Sequence, residues 1–210
     1  MIEFFGSALI TFLVIIDPPG CAPIFASLTR GATPAQRRSM ALRSTVIAWA
    51  VLLFFALLGK PLLHALGISL ASFRIAGGIM LFFIAIDMVF ERRTERREKR
   101  AEAIEKSPEI EDISVFPMAM PMIAGPGSIA SAMLWVSRAD SAVNVAVVLA
   151  AITTVMVMTL ITLLAAGPLM RLIGDKVEAA ITRILGVILA ALAAQFVIDG
   201  LKQSFPHVLA

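Results

Sequence analysis

Asp17 opens the run Asp17-Pro18-Pro19-Gly20-Cys21-Ala22-Pro23, which interrupts an apolar stretch carrying no other charge between Phe4 and Arg30. A second interruption, Gly125-Pro126-Gly127-Ser128, lies in another apolar stretch. Each proline lacks an N–H and clashes with the preceding turn, so a helix crossing either run is broken or kinked. Such breaks expose two kinds of chemistry. Pro18 and Pro19 deprive the carbonyls of Val14 and Ile15 of their usual donors, and Pro126 does the same to Met122. These oxygens can coordinate a cation or accept from an ammonium group. Just past each break, the N–H groups around Gly20-Cys21-Ala22 and Gly127-Ser128-Ile129 open a new half-helix. Helix N-termini attract anions, and glycine lets a ligand come close to the backbone. A zwitterion offers both complements. Asp17 is the candidate titrating group: desolvation would raise its pKa, and nearby N–H donors would lower it. The competing reading of the same residues is a pair of packing kinks, with Asp17 capping the half-helix.

The chain around these residues has 210 residues, is 59% hydrophobic, is 16% charged and has a net charge of +3. Its mean hydropathy of +0.91 places it among polytopic helical membrane proteins rather than soluble domains. No aromatic-studded basic patch points to nucleic acid. The lone Cys21 cannot form an intrachain disulfide. Glu3 stands where a signal peptide would carry basic residues, so the first apolar run reads as a spanning helix.

Six spans are predicted. Helix 1 covers about Phe4 to Leu28 with the break inside it, and a polar link follows from Thr29 to Ser39. Helix 2 covers about Met40 to Gly59, and Lys60-Pro61 and Gly67 mark the turn after it. Helix 3 runs from about Ala71 to Phe90 and contains Arg74, Gly77-Gly78 and Asp87. Residues Glu91 to Asp112 hold seven Lys/Arg and eight Asp/Glu, a solvated loop. Helix 4 spans about Ile113 to Val136 across the second break, helix 5 lies within Ser141 to Met170, and helix 6 covers about Ala180 to Leu201. Fourteen of the eighteen Lys and Arg fall on one side if the N-terminus is extracytoplasmic. The positive-inside bias therefore puts both termini outside and the 91–112 loop in the cytoplasm.

The two halves also align on each other. Pro19-Gly20 matches Pro126-Gly127 at an offset of 107, which also takes Pro61-Leu62 onto Pro168-Leu169 and Gly67 onto Gly174. Arg74-Ile75-x-Gly77 matches Arg183-Ile184-x-Gly186 at 109, and Asp87 then falls one helical turn from Asp199 in register. Three helices per half is an odd number, so the second half enters the membrane inverted. The expected fold is an all-α membrane protein of two inverted three-helix repeats, residues 1–90 and 113–210, joined by the charged loop 91–112, with helices 1 and 4 broken. Inverted repeats with interrupted helices at matching positions are the pattern of secondary transporters, with the site at the repeat interface. Asp17, Gly20, Cys21, Gly127 and Ser128 are the substrate-binding candidates. Asp17, the carbonyls of Val14, Ile15 and Met122, and Asp87 are the ion-coupling candidates. Ser131, Thr153 and Thr154 are candidates for a polar path, and Trp135 reads as an interfacial anchor.

Three stretches together resemble the signatures of the MarC family of integral membrane proteins. They are Asp17-Pro-Pro-Gly-x-x-Pro-x-Phe25, Arg74-Ile-Ala-Gly-Gly-Ile79 and Pro117-Met-Ala-Met-Pro-Met-Ile-Ala-Gly-Pro-Gly127. The resemblance covers essentially the whole chain, and the family is placed near the LysE-type exporters, which share a three-plus-three plan. It implies an inner-membrane transport protein of bacterial type. One branch, the SnatA type, implies uptake of small neutral amino acids such as glycine and alanine, coupled to an ion gradient. The competing functional readings are a passive channel or facilitator, and an exporter of other small metabolites or drugs. No enzyme is expected: no histidine lies in a clear span to serve Ser128 as a base, and no Cys/His cluster could hold a metal. The expected partners are the bilayer and a small-molecule substrate, with no cofactor beyond Na+ or H+ as coupling ion.

Overall fold

The computed structural model describes residues 1–29, 31–90, 112–168 and 175–205. Most of the charged loop, residues 91–111, therefore lies outside the described residues, as do Arg30, Arg171 and Gly174. The described elements are helical: α1 (Ile2–Ile16), α2 (Pro18–Leu28), α3 (Pro34–Ala65), α4 (Leu70–Val89), α5 (Ser114–Ile123), α6 (Pro126–Ser137), α7 (Ala142–Leu164) and α8 (Asp175–Ser204). Among the described residues, five stretches are long and apolar enough to cross a membrane: Ile2–Leu28, Pro34–Ala65, Leu70–Val89, Ala142–Leu164 and Ala179–Ser204. A sixth is the pair α5–α6, bent by 55°.

Local chemistry explains most of the boundaries. Ser69 accepts from the Ser72 N–H to cap α4, and Ser141 accepts from the Asn144 N–H to cap α7. α3 differs from expectation at both ends. It begins at Pro34 rather than near Met40, because Thr33 and Gln36 form a reciprocal capping box and Pro34 suits the first helical position. The polar link thus shrinks to 29–33. At the other end Pro61 lies inside the helix, costing it the bond to Leu57, and the chain turns only at Leu66-Gly67, where Gly67 has φ +68°. A proline one turn from a helix end removes a single bond, and the apolar residues beyond it continue the helix.

α5, the first part of the expected helix 4, is not an α-helix. It is instead wound in wide turns, with the Met118 N–H donating to the Ile113 carbonyl and the Ala124 N–H to that of Ala119. Phe116 and Met120 adopt extended backbone angles inside it, and both precede cis prolines, Pro117 and Pro121. Just before α5, the Asp112 carboxylate accepts from the Ser114 hydroxyl and from its N–H at 3.0 Å, and pairs with Arg43 at 2.9 Å. These hydrogen bonds, Ser114's first, hold the Asp112 carboxyl below the usual carboxylate range. Its folded value lies below its unfolded one. The stabilisation is therefore complete above about pH 4 and lost as pH falls through the depressed value. Because the Arg43–Asp112 pair is exposed, the effect is expected at about 1 kcal/mol or less. Thermal melts of wild type and Asp112→Asn should converge as the pH drops below about 4 and separate above it.

The packing is arranged around the broken helices. The apolar stretch of the α1–α2 span is 72% buried inside the protein, against 28% for α3, α4 and α8 and 39% for α7. Phe12, Ile15, Ile16, Phe25, Met118 and Ile123 are fully or almost fully buried, while Phe54, Phe83, Ile161 and Val187 lie exposed on the intact helices. An exposed apolar surface of this kind is what lipid covers. The intact α4 and α8 lie antiparallel and very close. Gly78 faces Val197 and the Ala193 carbonyl, Gly186 faces Met88 and Val89, and Gly200 faces Ile75 and the Ala71 carbonyl. Small residues permit this backbone approach, the usual device for packing helices in a bilayer.

Candidate functional site

The first break is a single residue. Asp17 has left-handed angles, φ 55° and ψ 66°, and is 1% exposed. Its own N–H still completes α1 by donating to the Leu13 carbonyl, and its carbonyl accepts from the Cys21 N–H to start α2. Its carboxylate accepts from the Gly20 N–H at 3.2 Å. Gly20 is required by that geometry, since a Cβ there would run into the Asp17 carboxyl group. The capping reading of Asp17 therefore describes its geometry, and the carboxylate remains at the break whatever else it does.

Two carbonyls one residue beyond those expected receive side-chain donors. Val14, Ile15 and Met122 are buried, as predicted for a break at membrane depth. It is Ile16, however, whose carbonyl receives the Cys21 thiol at 3.4 Å, and Ile123 whose carbonyl receives the Ser128 hydroxyl at 2.9 Å. The physical reason is the left-handed turn at Asp17. It diverts the Gly20 N–H to the carboxylate, so the Ile16 oxygen also loses its helical donor. Both bonds span five residues, and Ile16/Cys21 maps onto Ile123/Ser128 at the offset of 107 already seen in the prolines. The signal was in the sequence: a small side chain bearing a donor stands at the same step past each break.

The two breaks lie side by side. A Cβ at Gly127 would meet Ile84 and Leu81 of α4 at 2.5 and 3.3 Å and Ile15 of α1 at 3.7 Å. Gly127 at the start of α6 thus abuts the end of α1. The two helix starts differ in charge. α2 is capped by Asp17, whereas α6 starts from Gly125 with no side-chain cap. The pair accordingly presents a carboxylate on one side and an uncapped positive helix end on the other. Asp87 is half-buried one turn past Ile84 on α4, about 4.5 Å of rise further along.

From Ser128 a polar line continues along the buried face of α6. Ser131 is fully buried and Trp135 is 4% exposed, and among the described residues neither the Ser131 Oγ nor the Trp135 Nε1 has a hydrogen-bond partner. Trp135 is therefore no interfacial anchor; it packs edge-on against Phe4 with ring centres 5.2 Å apart. Thr153 and Thr154 instead bond back to the carbonyls of Leu149 and Ala150, and Thr154 faces outward. The line ends at a cluster that sequence reasoning missed. Arg138 pairs with Asp199, and its guanidinium lies 4.5 Å from the Phe196 ring centre and 5.5 Å from that of Trp135. Gln195 donates to Asp199 at 2.7 Å, and Arg74 reaches across to Gln203 at 3.0 Å and Ser137 at 3.4 Å. Arg74 thus makes its hydrogen bonds across helices.

The Arg138–Asp199 pair is about three-quarters buried. Removing one partner should cost about 1–3 kcal/mol, between the values for exposed and for fully buried pairs. Arg138→Gln is expected to lower the melting temperature in detergent more than Arg138→Lys, which keeps the charge but loses the planar stack. A double-mutant cycle with Asp199→Asn should return a coupling energy above about 0.5 kcal/mol.

Comparison with known proteins gives a consistent result. Residues 2–205 match the model of the MarC family of integral membrane proteins. A UPF0056 membrane protein of Archaeoglobus fulgidus is 36% identical over 202 residues, covering 96% of this chain and 94% of that one. One from Aquifex aeolicus is 34% identical over 97% of this chain and 94% of its own length. The Escherichia coli UPF0056 membrane protein YhcE is 33% identical, with 95% and 93% covered. No solved structure matches.

Proposed function

The chain belongs to the MarC family of integral membrane proteins, and from that premise we propose that it is an ion-coupled secondary transporter of small neutral amino acids of the glycine and alanine type. It works by alternating access between two inverted repeats, α1–α4 and α5–α8, in a bacterial inner membrane with both termini extracytoplasmic. The observation that carries the reading is the matched pair of breaks. Cys21 to Ile16 and Ser128 to Ile123 are the same bond in the two halves, and the broken helices lie against each other between two pairs of intact ones, α3–α7 and α4–α8. The antiparallel packing of α4, the last helix of the first half, on α8, the last of the second, supports the inverted arrangement as well.

The asymmetry of the breaks orients the substrate. Its carboxylate goes to the uncapped N-terminus of α6 at Gly127 and Ser128. Its ammonium group, or the coupling cation, goes to Asp17, with the carbonyls of Val14, Ile15 and Met122 as further oxygen donors. Gly20 and Cys21 keep the backbone close on the α2 side, and Asp87 is the second acidic group available to the ion. Ile15, Leu81 and Ile84 crowd Gly127, which disfavours substrates with large side chains. Purified protein in liposomes, given labelled glycine or alanine under imposed proton or sodium gradients, should accumulate label above the equilibrium level. Flux that only equilibrates would favour a passive facilitator, and no flux with any small neutral amino acid would remove the reading.

A further inference from the structure

A cavity of about 330 Å³ lies at the helix ends that carry Arg37, Arg38 and Arg43, away from the breaks. It opens where α2 and α7 finish and α3 begins. Its wall is apolar on one side, with Phe25, Leu163 and Leu164, and basic on the other, with Arg37 and Arg38. Phe25 is eight residues past Asp17, roughly 12 Å along the helix, so this space is separate from the proposed transport site. Phe25 and Leu163 are almost fully buried, whereas Leu164 is half-exposed on the outer apolar surface. The cavity therefore connects the lipid-facing side of α7 to a pair of guanidinium groups.

One of these guanidinium groups is held in place. The Nε of Arg37 donates to the Thr29 carbonyl at 3.0 Å, and the Thr29 hydroxyl is itself bound to the Phe25 carbonyl at 2.7 Å. A chain of bonds thus fixes Arg37 to the end of α2, at the edge of the apolar wall. Planar guanidinium forks match phosphate oxygens, and adjacent apolar surface matches glycerol and the first acyl carbons. Basic pockets between spanning helices at the cytoplasmic side are suited to anionic headgroups.

We propose that this cavity is a binding site for the headgroup of an anionic phospholipid, with the phosphate on Arg37 and Arg38 and an acyl chain leaving past Leu164. The inference rests on the cavity and its lining and is independent of the transport reading. A phosphate held there ties the end of α2 to the start of α3 and the end of α7. Native mass spectrometry of the full-length protein, from membranes and after reconstitution with phosphatidylglycerol or phosphatidylcholine, tests it. Wild type should retain phosphatidylglycerol at least about tenfold over phosphatidylcholine, and the Arg37→Gln/Arg38→Gln variant should lose that preference. Arg38→Gln alone, with Arg37 still bonded to Thr29, should weaken retention without a change in helicity by circular dichroism. Equal retention of both lipids by wild type, or undiminished phosphatidylglycerol on the double variant, would overturn the assignment. Inorganic phosphate or glycerol phosphate binding as tightly as the lipid would overturn it too, by making the ligand a soluble phosphate.

Discussion

Asp17→Asn is expected to abolish gradient-driven accumulation while leaving the fold and substrate exchange largely intact. Asparagine keeps an acceptor for the Gly20 N–H, which Asp17 now holds at 3.2 Å. It also tolerates the left-handed angles at φ 55° better than most residues. What it removes is the negative charge at the break. If Asp17 carries the coupling ion, concentrative uptake should fall on the order of 100-fold, equivalent to about 2.8 kcal/mol of coupling. Counterflow of labelled alanine against unlabelled alanine should persist within a few-fold, about the range of a small change in binding. Asp17→Ala separates this from structure. It loses the cap as well as the charge, and alanine is strained in that conformation, so a stability loss of about 2–3 kcal/mol is expected on top. An Asp17→Asn protein that still concentrates substrate would leave Asp17 as a cap and nothing more.

Gly78→Val is expected to be the most disruptive single change outside the site. A Cβ at Gly78 would lie 2.8 Å from the Ala193 carbonyl oxygen, 3.0 Å from the Val197 nitrogen and 2.7 Å from a Val197 methyl. Two of the three obstacles are backbone, so no rotamer change relieves them and α4 must move off α8. Overpacking of this kind costs about 1–3 kcal/mol, and valine should reach the top of that range or pass it. Alanine should already destabilise measurably. Gly6→Ala is the control: nothing lies within 4 Å of a Cβ there, and a helical alanine gains up to about 1 kcal/mol over glycine. Thermal unfolding in one detergent, read by loss of the monodisperse peak, orders the three variants.

The sequence reveals the spans and the breaks because both depend on local chemistry. Twenty apolar residues must cross, and a proline must remove a bond, whatever surrounds them. The depth at which Asp17 is buried follows from the same argument, since a carboxylate in an apolar run is tolerated only against protein or water. The extra turns at both ends of α3 are also local, but they turn on the Thr33–Gln36 capping box and on how little a proline costs one turn before a helix end. The wide turns of α5 are less legible, because two prolines four residues apart satisfy more than one backbone path. The Arg138–Asp199 pair is not legible at all. Its partners are 61 positions apart and meet only because α6 and α8 end together. The equivalence of Cys21 and Ser128 is visible in the alignment of the halves, yet the Cys21 bond depends on the left-handed turn at Asp17 and the Ser128 bond on the extended backbone at Gly125, which only the fold reveals.

The central claim is that substrate sits between the two breaks. It is tested most directly by a density map of the protein in lipid with saturating alanine. The account predicts ligand density beside Gly127, with the carboxylate on the N–H groups that open α6 and the ammonium group or the coupling cation at Asp17. Alanine density elsewhere, for example among Phe25, Arg37 and Leu163, or breaks packed tightly shut in a protein that transports, would contradict it.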